Sequence, residues 1–535
     1  MRDEMFDVVI VGYGPVGQIA AILLGQKGYR VSVLERWQQI YALPRAVHYD
    51  DETARILQAA GVIDEVLKIS EPIGDFYEWR NKAGEVLLHL ERTGSGLSGW
   101  PVANFFSQPV LQAVLDTRAK SLPTVEVNEG WEVERIMEHD DHVEVTAQQG
   151  HAGQAGEWVP EEAVRTVRAQ YLIGADGANS AVREHMGTSV TDLGFAFDWL
   201  VLDVIPHEQR PWRPTNWQLC DPARPTTIVS GGPGRRRWEF MRLPGESIEE
   251  LNSAETAWRL LEPWGMTPDN AMLERHAVYR FSARWADSWR QGRLLLAGDA
   301  AHLTPPFAGQ GLCSGLRDAM NLAWKLDLVL SGKASDAILD TYEPERLFNV
   351  RQFIEFAVAL GNIICISDPQ AAAERDRRMI SLRQDQTAAP PIPNPPCTLG
   401  PGILHKDDPR SGVLFIQGRV AYEGKSGLFD DVVGEGFSLL ALEDPARVLR
   451  DGQREFLDSI GTHVLRLAQG ETAGGDAFVD LEGLYTSWFE ENGCGAVLVR
   501  PDFYVFGAVS GLEELPDLVA DLQAQLAGIA MTSGQ

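Results

Sequence analysis

Cysteine is scarce in this chain. Five occur in 535 residues (Cys220, Cys313, Cys365, Cys397 and Cys494), odd in number, scattered, and never spaced CxxC. That pattern offers neither a disulfide framework nor a zinc site, so no metal is expected, and it suits a reducing, cytoplasmic setting. Long hydrophobic runs are missing as well: none approaches the roughly 18–20 apolar residues of a spanning helix. The stretch Val8–Leu24 is broken by glycines and preceded by Asp3, Glu4 and Asp7, where a secretory signal would carry positive charge. It reads as part of the fold. Basic residues are in deficit, with Lys+Arg 47 against Asp+Glu 76 and a net charge of −29. Such a surface repels phosphate backbones, so neither nucleic acid nor an anionic membrane is an expected partner. At 44% hydrophobic and 23% charged residues the composition is that of an ordinary globular protein. The length suggests about two to four domains.

What is present starts near the N-terminus. Phe6–Val11 is a short apolar run, as expected of a parallel strand buried on both faces. It leads into Gly12-Tyr13-Gly14-Pro15-Val16-Gly17, then a helical pattern over Gln18–Lys27, then a second strand over Arg30–Leu34 that ends on Glu35. In a GxGxxG turn the first glycine permits the tight bend, the second lets backbone N–H groups reach a pyrophosphate, and the third allows close helix–strand packing. The helix N-terminus adds a favourable dipole. Glu35 is placed for a ribose diol, and Glu35 followed by Arg36 leaves NAD and FAD both open. Two later segments repeat the strand-then-acid theme. Tyr171–Arg183 contains Gly174-Ala175-Asp176-Gly177, and Arg293–Gly311 contains Gly298-Asp299, Pro305-Pro306 and a glycine pair around Gln310. Free N–H groups at Gly311 and Leu312, opening a helix over Leu312–Leu330, can stabilise an anion.

The GxGxxG, the GADG and the run AGDAAHLTPPFAGQGLCSGLRDAMNLAWKL together resemble the FAD-dependent aromatic hydroxylases, the single-component flavoprotein monooxygenases. Within them the 3-(3-hydroxyphenyl)propionate hydroxylases are the most similar branch. Supporting stretches are Leu43-Pro44-Arg45-Ala46 with Asp50-Asp51-Glu52, Cys220–Pro225, and Arg237–Met241. The resemblance implies an α/β fold: a Rossmann-like FAD-binding domain, an inserted β-sheet substrate domain, and a thioredoxin-like C-terminal domain without CxxC. It implies that Gly12, Gly14, Pro15, Val16, Gly17, Glu35 and Arg36 hold the ADP half of FAD. Arg45 would lie near the pyrophosphate or ribityl chain, and Gln108, opening a helix over Pro109–Ala119, would contact the flavin chain. Asp176 would lie near FAD and the nicotinamide approach, Gly298 and Asp299 at the ribityl hydroxyls, and Pro306, Gly309, Gly311 and Leu312 around the isoalloxazine. His302 is expected to support the loop.

For catalysis the resemblance points to Asp50 as a base on the substrate hydroxyl, with His48 assisting. The competing assignment makes Asp50 the N-cap of a helix over Glu52–Ala60. Trp217, Trp238, Phe240 and Pro305 are the expected substrate neighbours. Arg237 and Arg242 are either carboxylate partners or solvated strand residues.

The expected organisation is a discontinuous FAD domain (1–75, 101–185, 285–365), a substrate domain (76–100, 186–284), a proline-bearing linker (366–400) and the C-terminal domain (401–535), which would serve packing or homodimerisation. There is no second GxGxxG unit, consistent with NAD(P)H as a transient co-substrate. The implied reaction is hydroxylation of a phenol resembling 3-(3-hydroxyphenyl)propionate with NAD(P)H and O₂ through a flavin C4a-hydroperoxide. Alternatives are a polyketide or other phenol, a flavin oxidase or dehydrogenase on the same scaffold, and a flavin-binding protein without catalysis.

Overall fold

A computed structural model describes residues 5–39, 46–153, 157–385, 395–468 and 475–528. The apolar runs become the middle of a parallel sheet. Leu294–Leu296, the end of Trp158–Gly174, Phe6–Val11, Val31–Glu35 and Val125–Glu129 lie side by side in that order. Val8, Val9 and Ile10 are completely buried, as strands covered by helices on both faces require. The Pro15–Gln26 helix packs over this sheet beside the Gly311–Leu330 helix. Glycines permit the contact: a Cβ on Gly315 would stand 2.6 Å from the Val16 side chain, and one on Gly17 would stand 2.1 Å from the Gly12 carbonyl oxygen.

A second, eight-stranded sheet stands over the carboxyl ends of those strands. Its long members are Val190–Pro206 and Ala271–Ala286, and Tyr77–Arg80 with Val86–Leu90 extends it at one edge. Gly231–Gly234 forms the hairpin turn between Thr226–Ser230 and Arg236–Met241. One face of the sheet packs on the short helices Ile248–Leu251 and Ala254–Leu261. The other face looks toward the glycine-rich turns.

The C-terminal unit is thioredoxin-like in topology. Ser438–Ala441 pairs in parallel with His463–Leu467 and antiparallel with Ala496–Val499, which pairs antiparallel with Val505–Val509. The expected linker needs correction, because Pro369–Gln384 is a helix capped by Asp368. Its arginines dock it on the substrate sheet: Arg375 donates to the carbonyls of Cys220 (2.8 Å) and Ile363 (2.9 Å), and Arg383 donates to that of Val86 (2.7 Å). Most of the proline run lies outside the described residues.

One helical stretch, Asp336–Ile364, is long and apolar enough to cross a membrane by composition. More than half of its apolar window is nevertheless inside the fold, and it contributes Glu345 to a buried junction. The Glu345 carboxylate accepts from Arg500 (2.8 Å), Lys325 (2.9 Å), Asn321 (2.8 Å) and the Ile403 N–H (2.7 Å). Arg500 belongs to the C-terminal unit and is paired with Asp502 as well. Burial alone would raise the Glu345 carboxyl, but Arg500 and Lys325 overrule it and hold it at about 2. Removing one partner of such a buried set is costly. Glu345→Gln should therefore destabilise the fold by about 3–5 kcal/mol in urea unfolding at neutral pH. Because the folded pKa is depressed below 4.5, this contribution is present above that pH and is lost as pH falls toward about 2. The wild-type and variant stability curves should converge in that interval.

Candidate active site

The glycine turns and the substrate sheet enclose a cavity of about 880 Å³. Gly12, with φ +99°, makes the bend at the strand end, and a Cβ there would sit 2.4 Å from the Ala175 carbonyl oxygen. Gly14 is different: its backbone is extended, and a Cβ would meet nothing within 4 Å because it would project into the cavity. Pro15 and Val16 line the same wall, and the helix they open has no side-chain cap on its N–H groups. Glu35 accepts from the N–H groups of Tyr13 (2.8 Å) and Trp37 (2.9 Å), which ties the second strand to the turn, and Arg36 stands beside it on the cavity wall. Gly17 sits behind this wall and serves packing.

The acids of the later segments arrive at the same place. Asp176 lines the cavity with one carboxylate oxygen on the Val182 N–H (3.2 Å) and the other buried without a partner. Asp299 lies on a 3₁₀ turn, Gly298–Ala300, held from behind by Asp318, which accepts from the Gly298 N–H (3.0 Å), His302 (2.7 Å) and Arg346 (2.9 Å). His302 supports the loop from behind. Gly298 itself is behind the wall, packed on Val16. Pro306, Gly309, Gly311 and Leu312 reach the cavity, whereas Pro305 does not line it. Gln108 lines it and accepts from the Ala46 N–H (2.7 Å). Arg45 lies outside the described residues.

The Asp50 assignment is corrected by the geometry. Asp50 is the N-cap of the Asp51–Ala59 helix, accepting from the Thr53 N–H at 2.9 Å. Its other oxygen takes Arg317 (2.6 Å) and Gln310 (3.1 Å), and it does not line the cavity. Burial would raise its pKa, but the Arg317 guanidinium and the Thr53 N–H hold the carboxyl well below the usual carboxylate range. With both oxygens occupied and no face on the cavity, this carboxylate is out of reach of a ligand proton.

His48, two residues earlier, does face the cavity. Its Nδ1 is 3.1 Å from the Gly309 carbonyl oxygen, which can only accept, so Nδ1 carries the proton and Nε2 is the bare nitrogen. Burial, with Arg92 nearby, pushes the imidazole down to about 4, so it is neutral at pH 7. Arg92, just after the Val86–Leu90 strand, lines the cavity and has no hydrogen-bond or ion-pair partner among the described residues. Tyr77, Ile73 and Phe105 complete this corner.

The expected substrate neighbours are on the wrong side of the sheet. Trp238 and Phe240 are buried with Leu200, Leu202 and Ile228 against the short helices. Trp217 packs on Trp212 and Trp264 there. Side chains alternate along a strand, so Arg237 and Glu239 take the cavity face, with Val201, Thr227 and Val229 from neighbouring strands. Arg242 does not line the cavity and is paired with Asp198 (2.9 Å). The overlooked residues are thus Arg92, Tyr77, Glu239, Arg275 and Tyr279. For Glu239 the period-2 pattern of Arg236–Met241 was the available signal. Among the described residues one group, His139, His142 and Glu144, has metal-ligating atoms within 4.8 Å, but Glu144 is occupied by Arg168 and His142 by Asp141.

The unfilled acceptor of Asp176, the uncapped helix N-terminus and the space before Gly14 fit a dinucleotide. Gly14→Ala should leave unfolding of the flavin-free protein within about 0.5 kcal/mol of wild type. It should cut FAD affinity at least about tenfold in a fluorescence titration, by occupying the place of the phosphates.

Comparison with known proteins agrees with this geometry. A family model described as "FAD binding domain" matches residues 5–357, and one described as "HcaD C-terminal domain" matches residues 412–525. A "probable NADH-specific resorcinol 4-hydroxylase" of Rhodococcus jostii is 39% identical over 98% of this chain and 96% of its own length. A "3-(3-hydroxy-phenyl)propionate/3-hydroxycinnamic acid hydroxylase" of Mycolicibacterium gilvum is 33% identical over 99% and 92%. In fold, the chain is similar to the flavin-dependent monooxygenase PieE, with a TM-score of 0.79 at 22% identity over 98% and 100% of the two chains. The dinucleotide turn, the two acid-bearing strand ends and the sheet above them make this chain a member of the FAD-binding monooxygenase family, and its activity is that of an FAD-dependent aromatic hydroxylase.

Proposed function

We propose that the enzyme places one hydroxyl on a phenolic ring of the resorcinol or 3-(3-hydroxyphenyl)propionate type, consuming NADH or NADPH and O₂. When bound, FAD would carry the reducing equivalents from the nicotinamide to O₂ and so activate the oxygen. The Gly12–Gly17 turn and its helix would hold the diphosphate, Glu35 the adenosine ribose, Asp299 the ribityl hydroxyls, and the N–H groups of Gly311 and Leu312 the electron-rich edge of the ring system.

The observation that carries the proposal is His48, fixed on Gly309 with Nε2 bare in the cavity. A neutral imidazole accepts the phenol proton there, and the Arg92 guanidinium offsets the charge of the phenolate. A phenolate is the more electron-rich ring and the better partner for an electrophilic oxygen. Ile73, Phe105, Val201 and Phe281 give the cavity the apolar surface needed to keep water from the reacting centre. Asp50 contributes by holding Arg317 and Gln310 in place.

The test is a panel of substituted phenols with ¹⁸O₂, in which one labelled oxygen per nicotinamide oxidised is expected in the product. Peroxide with no labelled product from any phenol would leave an oxidase. His48→Asn should lower hydroxylation about 100-fold while flavin reduction by NADH, read in stopped flow, changes little. Because burial depresses the His48 pKa, its base form persists in acid. The acid limb of kcat/KM in the wild-type enzyme should fall near pH 4, and a limb near 6.5 would assign the proton to another group.

A further inference from the structure

The sheet wall of the cavity carries charges that proton removal at His48 does not use. Asp203 accepts from Arg237 through two bonds, at 2.7 and 3.0 Å. Arg275 stands 3.8 Å from the same carboxylate and lies over the Tyr279 ring at 4.5 Å. Arg237 is therefore hydrogen-bonded to Asp203, and Arg275 faces the same carboxylate as a longer ion pair. Glu239 has only a long ion pair. It sits in register between Val201 and Thr227, is 6% exposed, and lines the cavity. The nearest cation, Arg237, is at 3.8 Å, and no described residue donates a hydrogen bond to it. Burial pushes this carboxyl up to about 7 against the pull of Arg237.

A buried carboxyl at the edge of a ligand site, with no donor of its own, is an acceptor waiting for one. A ligand hydroxyl satisfies it. A ligand carboxylate does not: it would bring a further negative charge beside Glu239 and Asp203.

We infer that Glu239 selects the substrate, accepting a hydrogen bond from a second hydroxyl on the ring and disfavouring phenols that carry a carboxylate chain. This rests on the hydroxylase assignment above and adds the substrate class to it. Selection of this kind is strong because a ligand lacking the hydroxyl leaves the carboxyl buried and unpaired.

Anaerobic binding to the FAD-loaded enzyme, followed by perturbation of the flavin spectrum, tests it without turnover. Benzene-1,3-diol should bind at least about tenfold more tightly than phenol to the wild type, and more tightly than 3-(3-hydroxyphenyl)propionate. Glu239→Leu should abolish the advantage of the diol while phenol affinity stays within about threefold. The isosteric Glu239→Gln, whose amide oxygen still accepts, should keep part of that advantage and improve binding of the propionate. Wild-type preference for the propionate, with loss of that preference in Arg92→Gln, would overturn the inference by making Arg92 a carboxylate anchor. Equal losses for diol and phenol in Glu239→Leu would overturn it too. Diol binding that depends on Glu239 with no ¹⁸O in any product would leave this inference standing and remove the hydroxylase assignment instead.

Discussion

Arg317 is the charge around which the active-site half of the molecule is assembled. From the second turn of the Gly311–Leu330 helix its guanidinium reaches Asp50 (2.6 Å), Glu52 (2.5 Å) and the Gln310 side chain (3.1 Å), all buried. Asp50 caps the helix that follows His48, and Gln310 lies between Gly309, which orients His48, and Gly311, which opens the helix facing the cofactor. A cation with two carboxylates in a dry interior is stable only when the geometry is satisfied throughout. This one thereby fixes His48, the Gly309–Gly311 loop and the helix cap relative to each other. The same knot extends outward, since Tyr504 of the C-terminal unit donates to Glu52 at 2.7 Å and Arg55 forks onto Asp430.

The cavity is polarised by this arrangement. One corner holds the Arg92 guanidinium, with no ion-pair partner among the described residues, and a neutral imidazole, suited to receiving a proton and balancing the anion left behind. The opposite wall holds the Glu239 carboxyl beside Arg237, which is hydrogen-bonded to Asp203. Apolar residues separate the two. An aromatic ring with polar substituents at its rim matches such a space better than a wholly apolar or wholly charged ligand.

Legibility in the sequence followed the locality of each signal. The dinucleotide turn could be read because its signal is written in nearby residues: Gly12 and Gly17 answer backbone and packing demands that no other residue type meets, and Gly14 leaves the space before the turn open. The acids after strands, Asp176 and Asp299, could be read for the same reason. Local sequence leaves Asp50 open between cap and base, because its partner, Arg317, is 267 positions away. Nothing local distinguishes a cap pinned by a distant arginine from a base. Trp238 and Phe240 were misread by one residue of strand parity. Aromatics invite assignment to an aromatic ligand, but the hydrophobic effect sends them to the face that packs on helices, and the charged residues between them are left for the cavity. Arg92 had no signal at all, since its role depends on which loop the fold leaves open beside His48.

The junction between the catalytic half and the C-terminal unit orders events during synthesis. Arg500, Asp502 and Tyr504 supply the last partners of Glu345, Asn321 and Glu52. A nascent chain that has emerged through the Tyr342–Ile364 helix already possesses every described cavity-lining residue, yet Glu52 and Glu345 behind the glycine loop still lack Tyr504 and Arg500. The tail of the polypeptide acts as a keystone for these buried carboxylates.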